Sequence, residues 1–466
     1  MPKRYDIAFL GGGPAGYQGA VRAAQLGARV AVVEEKFLGG VCLNQGCIPT
    51  KAVRASAEVG RYLRRAREFG FQPVTSEPDI SAIVARKERV VSALRSSIAG
   101  LFQVHGIHLA EGRGQLAGGG KIQVERKGQL RLVEADKIVI STGSRPARLP
   151  VFPQHPRVFL PDDLLNITYV PGHLLVVGGG AAGVEMATIF RELGSQVTLL
   201  EALESLLPTE DVEMVEHLKK ILKRHKMKVI CGVQVAQINE ETEQFRIRLT
   251  DGTELTPDTI LVAVGRLFNT QDLGLEKLGV ALDQEHIAVD EHMLTSVPGL
   301  YAAGDVTGHW LLAHVAFAEG ICAAEHALGL GSKMDYRVVP RCTFTLPEYA
   351  AVGISEAEAK MNHLIKVARF PFKSLGMGLA MGEPEGLVKI IVHAQNNQIL
   401  GAHIIGPHAA DLAAEIALAM RAGLPSRAIM ETIHSHPTLS EAILEVAQAL
   451  HGRAIHIPPA GVVSCS

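Results

Sequence analysis

Two stretches of the chain, FLGGGPAGYQGAVRAAQLGARVAVVEE (9–35) and VVGGGAAGVEMATIFRELGSQVTLLE (176–201), repeat one pattern: an apolar run, a glycine loop, an Ala-rich amphipathic segment and a second apolar run closed by an acid. Each spells a βαβ unit, and two such units commit the chain to an α/β fold with parallel sheets. Gly11, Gly13 and Gly16 form GxGxxG in the first copy, and Gly178, Gly180 and Gly183 form it in the second. Gly27 and Gly194 then fall at one common offset, and Glu34 and Glu201 at another.

The spacing has a mechanical cause. The first glycine permits a tight strand-to-helix turn, the second lets backbone approach a pyrophosphate, and the third lets helix and sheet pack closely. The anion then meets unpaired N–H groups at the helix N-terminus. An acid at the end of the second strand can accept hydrogen bonds from a ribose. A single GxGxxG is often only a turn, but two copies agreeing at the loop, the later glycine and the acid imply two dinucleotide sites. Glu201 suits a free 2′-hydroxyl and would repel a 2′-phosphate, and no Arg or Lys occurs from Ala202 through Pro208, so the second site favours NAD over NADP.

Just beyond the first unit stands GGVCLNQGCIPTK (39–51), in which four residues separate Cys42 from Cys47. A stapling disulfide or half a metal site is the plain alternative. A staple suits small secreted chains, and a zinc site needs two more ligands, whereas Cys231, Cys322, Cys342 and Cys465 are scattered singly. With a nucleotide loop upstream, a redox-active dithiol is the reading the context favours, and no metal site is expected.

The 466 residues, 47 % apolar and 20 % charged, are enough for three or four domains with substantial cores. The proline-rich RPARLPVFPQHP (145–156) marks a first boundary, and from about 340 strands and helices alternate without a glycine loop. The expected division is 1–146, 147–269, 270–339 and 340–466, with the tail AGVVSCS frayed. Forty-six Lys and Arg against 48 Asp and Glu leave a net charge of −2, which offers no electrostatic case for nucleic acid or an anionic membrane. The N-terminus enters a strand-like run without a signal-type stretch, and no window reaches twenty uninterrupted apolar residues, so a cytoplasmic location and no membrane span are expected.

HSHPTLSEA (434–442) sets Glu441 five residues after His436. Glu441 could simply favour a helix dipole. It could also orient the His436 imidazole as a base for a thiol proton, which a dithiol enzyme needs because only thiolate attacks disulfide. His434 lacks an acid at that offset and reads as supporting or structural. Asp305, closing LYAAGD (300–305) after a strand and a glycine, suits a sugar-like hydroxyl chain, although GD is by default a surface turn.

With these residues in hand, the chain resembles the pyridine nucleotide–disulfide oxidoreductases and, among them, looks most like those that oxidise dihydrolipoamide. The likeness runs in family order over essentially the whole chain: GGGPAG, GGVCLNQGCIPTK, STGSRP, GGGAAGVE, AVGR, AAGDV with LLAH, then HSHPTLSE and GRAIH. It implies two Rossmann-like domains, FAD-binding (1–146) and NAD-binding (147–269), a central domain completing the FAD site (270–339) and a C-terminal α+β dimerisation domain (340–466). FAD would lie on Gly11, Gly13 and Gly16, with Glu34 at its ribose and Gly40, Lys51, Gly114, Gly143, Asp305, Ala313 and His314 along its length. NAD would lie on Gly178, Gly180 and Gly183, with Glu201, Val233 and Gly265. Lys51 and Glu185 resemble the family's ion pair beside the flavin. Cys42 would be the interchange thiol, Cys47 the thiol nearer the flavin, and His436 the base supplied by the second subunit of a homodimer. The implied partner is a protein carrying a dihydrolipoyl group, in a 2-oxo acid dehydrogenase complex or the glycine cleavage system. Departures are small: Leu267-Phe268 follow the GR pair, Thr50 stands where Ser is common and Gln45 where Val is common. The substrate channel is not readable, so a reductase for another disulfide or a quinone, and a non-catalytic docking flavoprotein, stand beside this reading.

Overall fold

The two glycine loops fold into two copies of one sheet plan. The computed structural model describes residues 4–72, 77–458 and 463–465. In the first copy the parallel strands lie in the order His108–Glu111, Val30–Glu34, Tyr5–Leu10, Gln129–Ile140 and Leu300–Ala302. In the second the order is Lys228–Cys231, Gln196–Glu201, His173–Val177, Thr259–Val262 and Val158–Phe159. Near-continuous Val, Leu and Ile runs suit strands buried on both faces. An antiparallel meander precedes the fourth strand in both copies: Arg113–Gly118 and Lys121–Arg126 with the start of Gln129–Ile140 in one, and Val235–Glu240, Phe245–Leu249 and Glu254–Leu255 in the other.

The copies differ in what is inserted. Between its second and third strands the first carries the short helix Gly40–Asn44 and the long helices Cys47–Arg64 and Ile80–Val104. Its fifth strand and the helix Ala313–Ala327 arrive from the 270–339 segment, so that segment completes the first unit. This helix crosses Pro14–Gln25 at backbone contact, where a Cβ on Gly320 would stand 2.1 Å from the Ala15 carbonyl oxygen and one on Gly19 would stand 2.6 Å from that of Gly320.

The last third is a six-stranded antiparallel sheet in the order Arg341–Thr343, Glu348–Gly353, Ile399–Gly406, Leu387–His393, Ile365–Pro371 and Val463–Cys465. Helices Ala409–Arg421 and Glu441–Leu450 bury their Ala and Ile stripes with the apolar residues of this sheet. The tail was expected to fray, yet Val463–Cys465 pairs with Ile365–Val367 as an edge strand, because that edge offers free backbone groups. A core cluster running from Val53 and Ala57 through the second unit to Tyr349 and Ile405 joins all three parts. Lys389, 1 % exposed, bonds Asp211 and Glu213 of the second unit at 2.8 Å and lies 2.7 Å from Glu356 of its own domain. Arg341 makes a bidentate pair with Glu210.

Candidate active site

The thiols are set by the local chemistry of CLNQGC. Asn44 donates to the Leu38 and Gly40 carbonyls at 3.0 and 2.8 Å, and its oxygen accepts from Arg95, which pins the short helix. Gln45 and Gly46 both return their N–H groups to the Val41 carbonyl, forcing a tight turn, and Thr50 caps back onto Gly46. The next helix therefore opens at Cys47, with Cys42 facing it across the turn. The two sulfurs face each other within hydrogen-bonding reach.

Their charges are unequal. The Cys42 thiol donates to Cys47, which together with burial drives the Cys42 pKa far up. Cys47, receiving that bond, falls to about 7; burial opposes the fall and Lys51, one turn along the helix, assists it. A helix N-terminus also favours a thiolate there. Cys47 is thus the sulfur that holds negative charge near neutrality. Lys51 is held in turn by Glu185, 2.9 Å away on the second glycine-loop helix, which joins the two dinucleotide units at the thiols.

The glycine loops match atom for atom. A Cβ on Gly11 would lie 2.3 Å from the Ser141 oxygen and one on Gly178 2.2 Å from the Ala263 oxygen; a Cβ on Gly16 or Gly183 would lie 1.9 Å from the carbonyl of Gly11 or Gly178. Glu34 accepts from the N–H groups of Gly12 and Lys36 at 2.7 and 2.8 Å, and Glu201 from those of Gly179 and Leu203 at 2.5 and 2.8 Å. Each acid therefore fixes its own loop and keeps lone pairs for a ribose, since an ionised carboxylate offers about four acceptor sites.

Around the first loop the remaining residues converge. Gly40 packs on Gly13, where a Cβ on Gly40 would stand 2.7 Å from the Gly13 Cα, and Gly143 adopts φ +70° with open space beside it. Asp305 accepts from Ser144 at 2.5 Å, and Arg266 donates to Ser144 at 2.6 Å. Ala313 and His314 begin the helix that crosses Pro14–Gln25, with His314 Nε2 2.9 Å from the Pro340 carbonyl oxygen. Gly114 packs instead into the core, where a Cβ would strike Leu10 and Val33 at the ends of the strands feeding the cradle. In the second unit Val233 returns its N–H to the Glu201 carbonyl, and the Gly265 carbonyl accepts from Ala147. Bare backbone loops, first-turn N–H groups and one acid per loop are the donor and acceptor set a dinucleotide pyrophosphate and ribose require, so the residues fit both groups.

Sequence reasoning passed over Ser144, Arg266 and Phe344. Ser144 and Arg266 sit inside STGSRP and AVGR, where the signal was available; Phe344 gave none, because it contributes a backbone N–H from a distant domain.

His436 Nδ1 lies 2.8 Å from Glu441 Oε1, and Glu441 Oε2 accepts from the Thr438 N–H at 2.8 Å. Burial works against the Glu441 charge, yet Thr438 and His436 together hold its carboxyl below the usual range. The His436 side chain is 78 % exposed and the neighbouring Ile433 97 %. Within one chain the dyad bonds to nothing on the thiol helices. The His434 side chain is only 5 % exposed and pairs with Glu415 at 3.0 Å, so it has an acid after all, from another helix. Among the described residues no cluster of His, Cys, Asp and Glu could hold a metal ion, and no helix is long and apolar enough to cross a membrane.

Comparison with known proteins matches residues 5–320 to the pyridine nucleotide-disulphide oxidoreductase family and residues 339–447 to that family's dimerisation domain. The chain is 39 % identical over 464 residues to the dihydrolipoyl dehydrogenase of Chlamydia muridarum, covering 98 % of this chain and 99 % of that one. It is 40 % identical over 463 residues to that of Thermus scotoductus, with the same coverage. Among solved structures it is similar to LpdA from Mycobacterium tuberculosis, with a TM-score of 0.90 and 30 % identity over 95 % of this chain and 99 % of that chain. The Cu(II) complex of the HOCl-induced flavoprotein disulfide reductase RclA from Escherichia coli superposes at a TM-score of 0.88 with 28 % identity, covering 96 % and 99 %. The chain belongs to the pyridine nucleotide-disulphide oxidoreductase family. It is an enzyme whose two dinucleotides are FAD and NAD, and its C-terminal third is a dimerisation domain.

Proposed function

We propose that the chain oxidises dihydrolipoyl groups carried on a partner protein, with Cys42 and Cys47 as the redox disulfide and His436 of the partner subunit as the base. The observation that carries this reading is the asymmetric thiol pair: Cys47 is poised as thiolate at a helix N-terminus beside Lys51, with Cys42 in contact with it on the preceding turn. His436 Nε2 takes the proton of one substrate thiol, and its thiolate attacks Cys42 Sγ. The Cys42–Cys47 bond breaks, a substrate–Cys42 disulfide forms, and Cys47 leaves as thiolate. The second substrate thiol gives up its proton to solvent as its sulfur closes on the first and expels Cys42, which takes up the proton held by His436, so that Cys47 remains the thiolate and one proton is released in all. Substrate is oxidised by two electrons and the cysteine pair reduced by two. FAD, when bound, supplies the route by which the electron pair passes as hydride to NAD⁺.

The exposed His436 and Ile433 support a homodimer in which each dyad faces the other subunit's thiols. The site residues assigned to FAD and NAD, the domain limits 1–146, 147–269, 270–339 and 340–466, a cytoplasmic location, and service to a 2-oxo acid dehydrogenase complex or the glycine cleavage system belong to the same proposal. Anaerobic titration of the protein with dihydrolipoamide, followed by NAD⁺, tests it. Reduction of the bound flavin followed by stoichiometric NADH is the expected result. A flavin that stays oxidised with dihydrolipoamide but is reduced by NADH would discard the substrate.

A further inference from the structure

Glu185 has a second partner besides Lys51. Its Oε1 accepts from the backbone N–H of Phe344 at 2.8 Å, and the Phe344 ring lies under the Lys51 ammonium, 4.2 Å from Nζ to the ring centroid. Phe344 belongs to the dimerisation domain and follows the strand Arg341–Thr343, which Arg341 fastens to Glu210. One turn past Lys51 the same domain takes hold again: Arg54 lies 3.0 Å from the Glu348 carboxylate and donates to the Thr345 carbonyl. The turn 344–348 therefore grips the thiol helix at two successive turns, and the upper grip encloses the one cation that faces Cys47.

We propose that Phe344 is a positioning residue: its ring and its N–H together fix the Lys51–Glu185 pair, and through Lys51 they set the acidity of Cys47. An ammonium over an aromatic face gains attraction that an aliphatic side chain cannot supply. Freed from the ring, Lys51 keeps its bond to Glu185 but loses the contact that fixes where its ammonium points. Facing Cys47 are Cys42 from the short helix, Lys51 from its own helix and Glu185 from the second glycine-loop helix, and Cys342 lies near Lys51 on the adjoining strand. Among these only Lys51 is a cation, so its placement governs the thiolate. The inference rests on the redox role given to Cys47 above and adds that the dimerisation domain tunes it.

The test is the pH dependence of iodoacetamide alkylation of Cys47 in the FAD-loaded Cys42→Ser protein, with Phe344→Leu, Phe344→Met and Phe344→Tyr compared in that background. Leu and Met should raise the alkylation midpoint by about 0.5–1 pH unit and slow alkylation at pH 7 about two- to fivefold, while Tyr, which keeps the ring, should stay at the parent midpoint. Met is unbranched and fills irregular space that Leu cannot, so loss of fold in the Leu variant leaves the comparison intact. Unchanged midpoints in the aliphatic variants, or an equal shift with Tyr, overturn the proposal. Alkylation uses no dihydrolipoyl substrate: a chain that fails to turn over lipoyl groups while its midpoint moves as stated loses the substrate reading and keeps this one.

Discussion

Because the two glycine loops share one geometry, a single added methyl group should silence one nucleotide site at a time. In Gly183→Ala the new Cβ would stand 1.9 Å from the Gly178 carbonyl oxygen, whereas ordinary contact begins near 3.4 Å, so loop and helix must part by about 1.5 Å. Overpacking of this kind costs about 1–3 kcal/mol. If the strain is relieved by moving the loop that meets the pyrophosphate, the whole of it appears as lost affinity, about 5- to 150-fold in Kd at 1.4 kcal/mol per factor of ten. Gly16→Ala meets the Gly11 carbonyl at the same 1.9 Å and should transfer the penalty to the other cofactor. The assay is paired: the flavin absorbance retained after gel filtration, and NADH binding followed by thermal shift. Gly183→Ala should keep its flavin and lose NADH, and Gly16→Ala should release flavin. A Gly183→Ala protein with unchanged NADH affinity, or one that loses flavin first, would refute the assignment of the loops.

Three further outcomes follow from the geometry. His436→Gln should slow dihydrolipoamide turnover by about 10²-fold or more while the flavin spectrum stays that of the parent, and near-normal turnover would remove His436 as the base. In the reduced parent protein, alkylation of Cys47 should rise through a midpoint near pH 7, since thiolate is the reactive form, and Lys51→Met should move that midpoint upward. Lys389→Met leaves the buried Asp211 without its cation, while Glu213 and Glu356 keep Arg369, and breaking a buried pair from one side costs about 3–5 kcal/mol, readable as a lowered urea midpoint at pH 7. The three carboxyls are held below their ordinary values in the fold, so the parent's stability is present above those values and falls as pH drops through the folded ones; the gap between parent and variant should therefore close in acid, and a constant gap would contradict the network.

What the sequence disclosed is what a single element encodes. The glycine spacing, CLNQGC and HSHPTLSE each specify a local turn whose hydrogen bonds close within a few residues, as Gly46 to Val41 and Thr438 to Glu441 do. Contacts between domains leave no such trace. Lys389 reaches Asp211 across 178 residues, and it reads in sequence as an ordinary charge in a strand. Phe344 meets Glu185 through an N–H that every residue but proline possesses. His434 looked acid-free because its partner, Glu415, lies on another helix. Glu34 and Glu201 show a subtler gap: spacing marks them as ribose acceptors, yet their first task is to clamp the loop that precedes them.

The base and the thiols sit on different domains, and the two are prepared differently. The loop 434–441 is tied within its own chain: Glu441 holds both His436 and Thr438, and Glu415 holds His434. In the proposed homodimer the other subunit would therefore meet His436 already paired. The thiols, by contrast, are finished only by their own chain's dimerisation domain, which grips the thiol helix through Phe344 and Arg54. One domain thus faces two ways, offering His436 outward and steadying Lys51 inward. The strand Arg341–Thr343, next to Phe344, pairs with Glu348–Gly353 of the sheet whose core Glu441–Leu450 shares, so the residues beside Lys51 and the helix that carries Glu441 are built on one sheet.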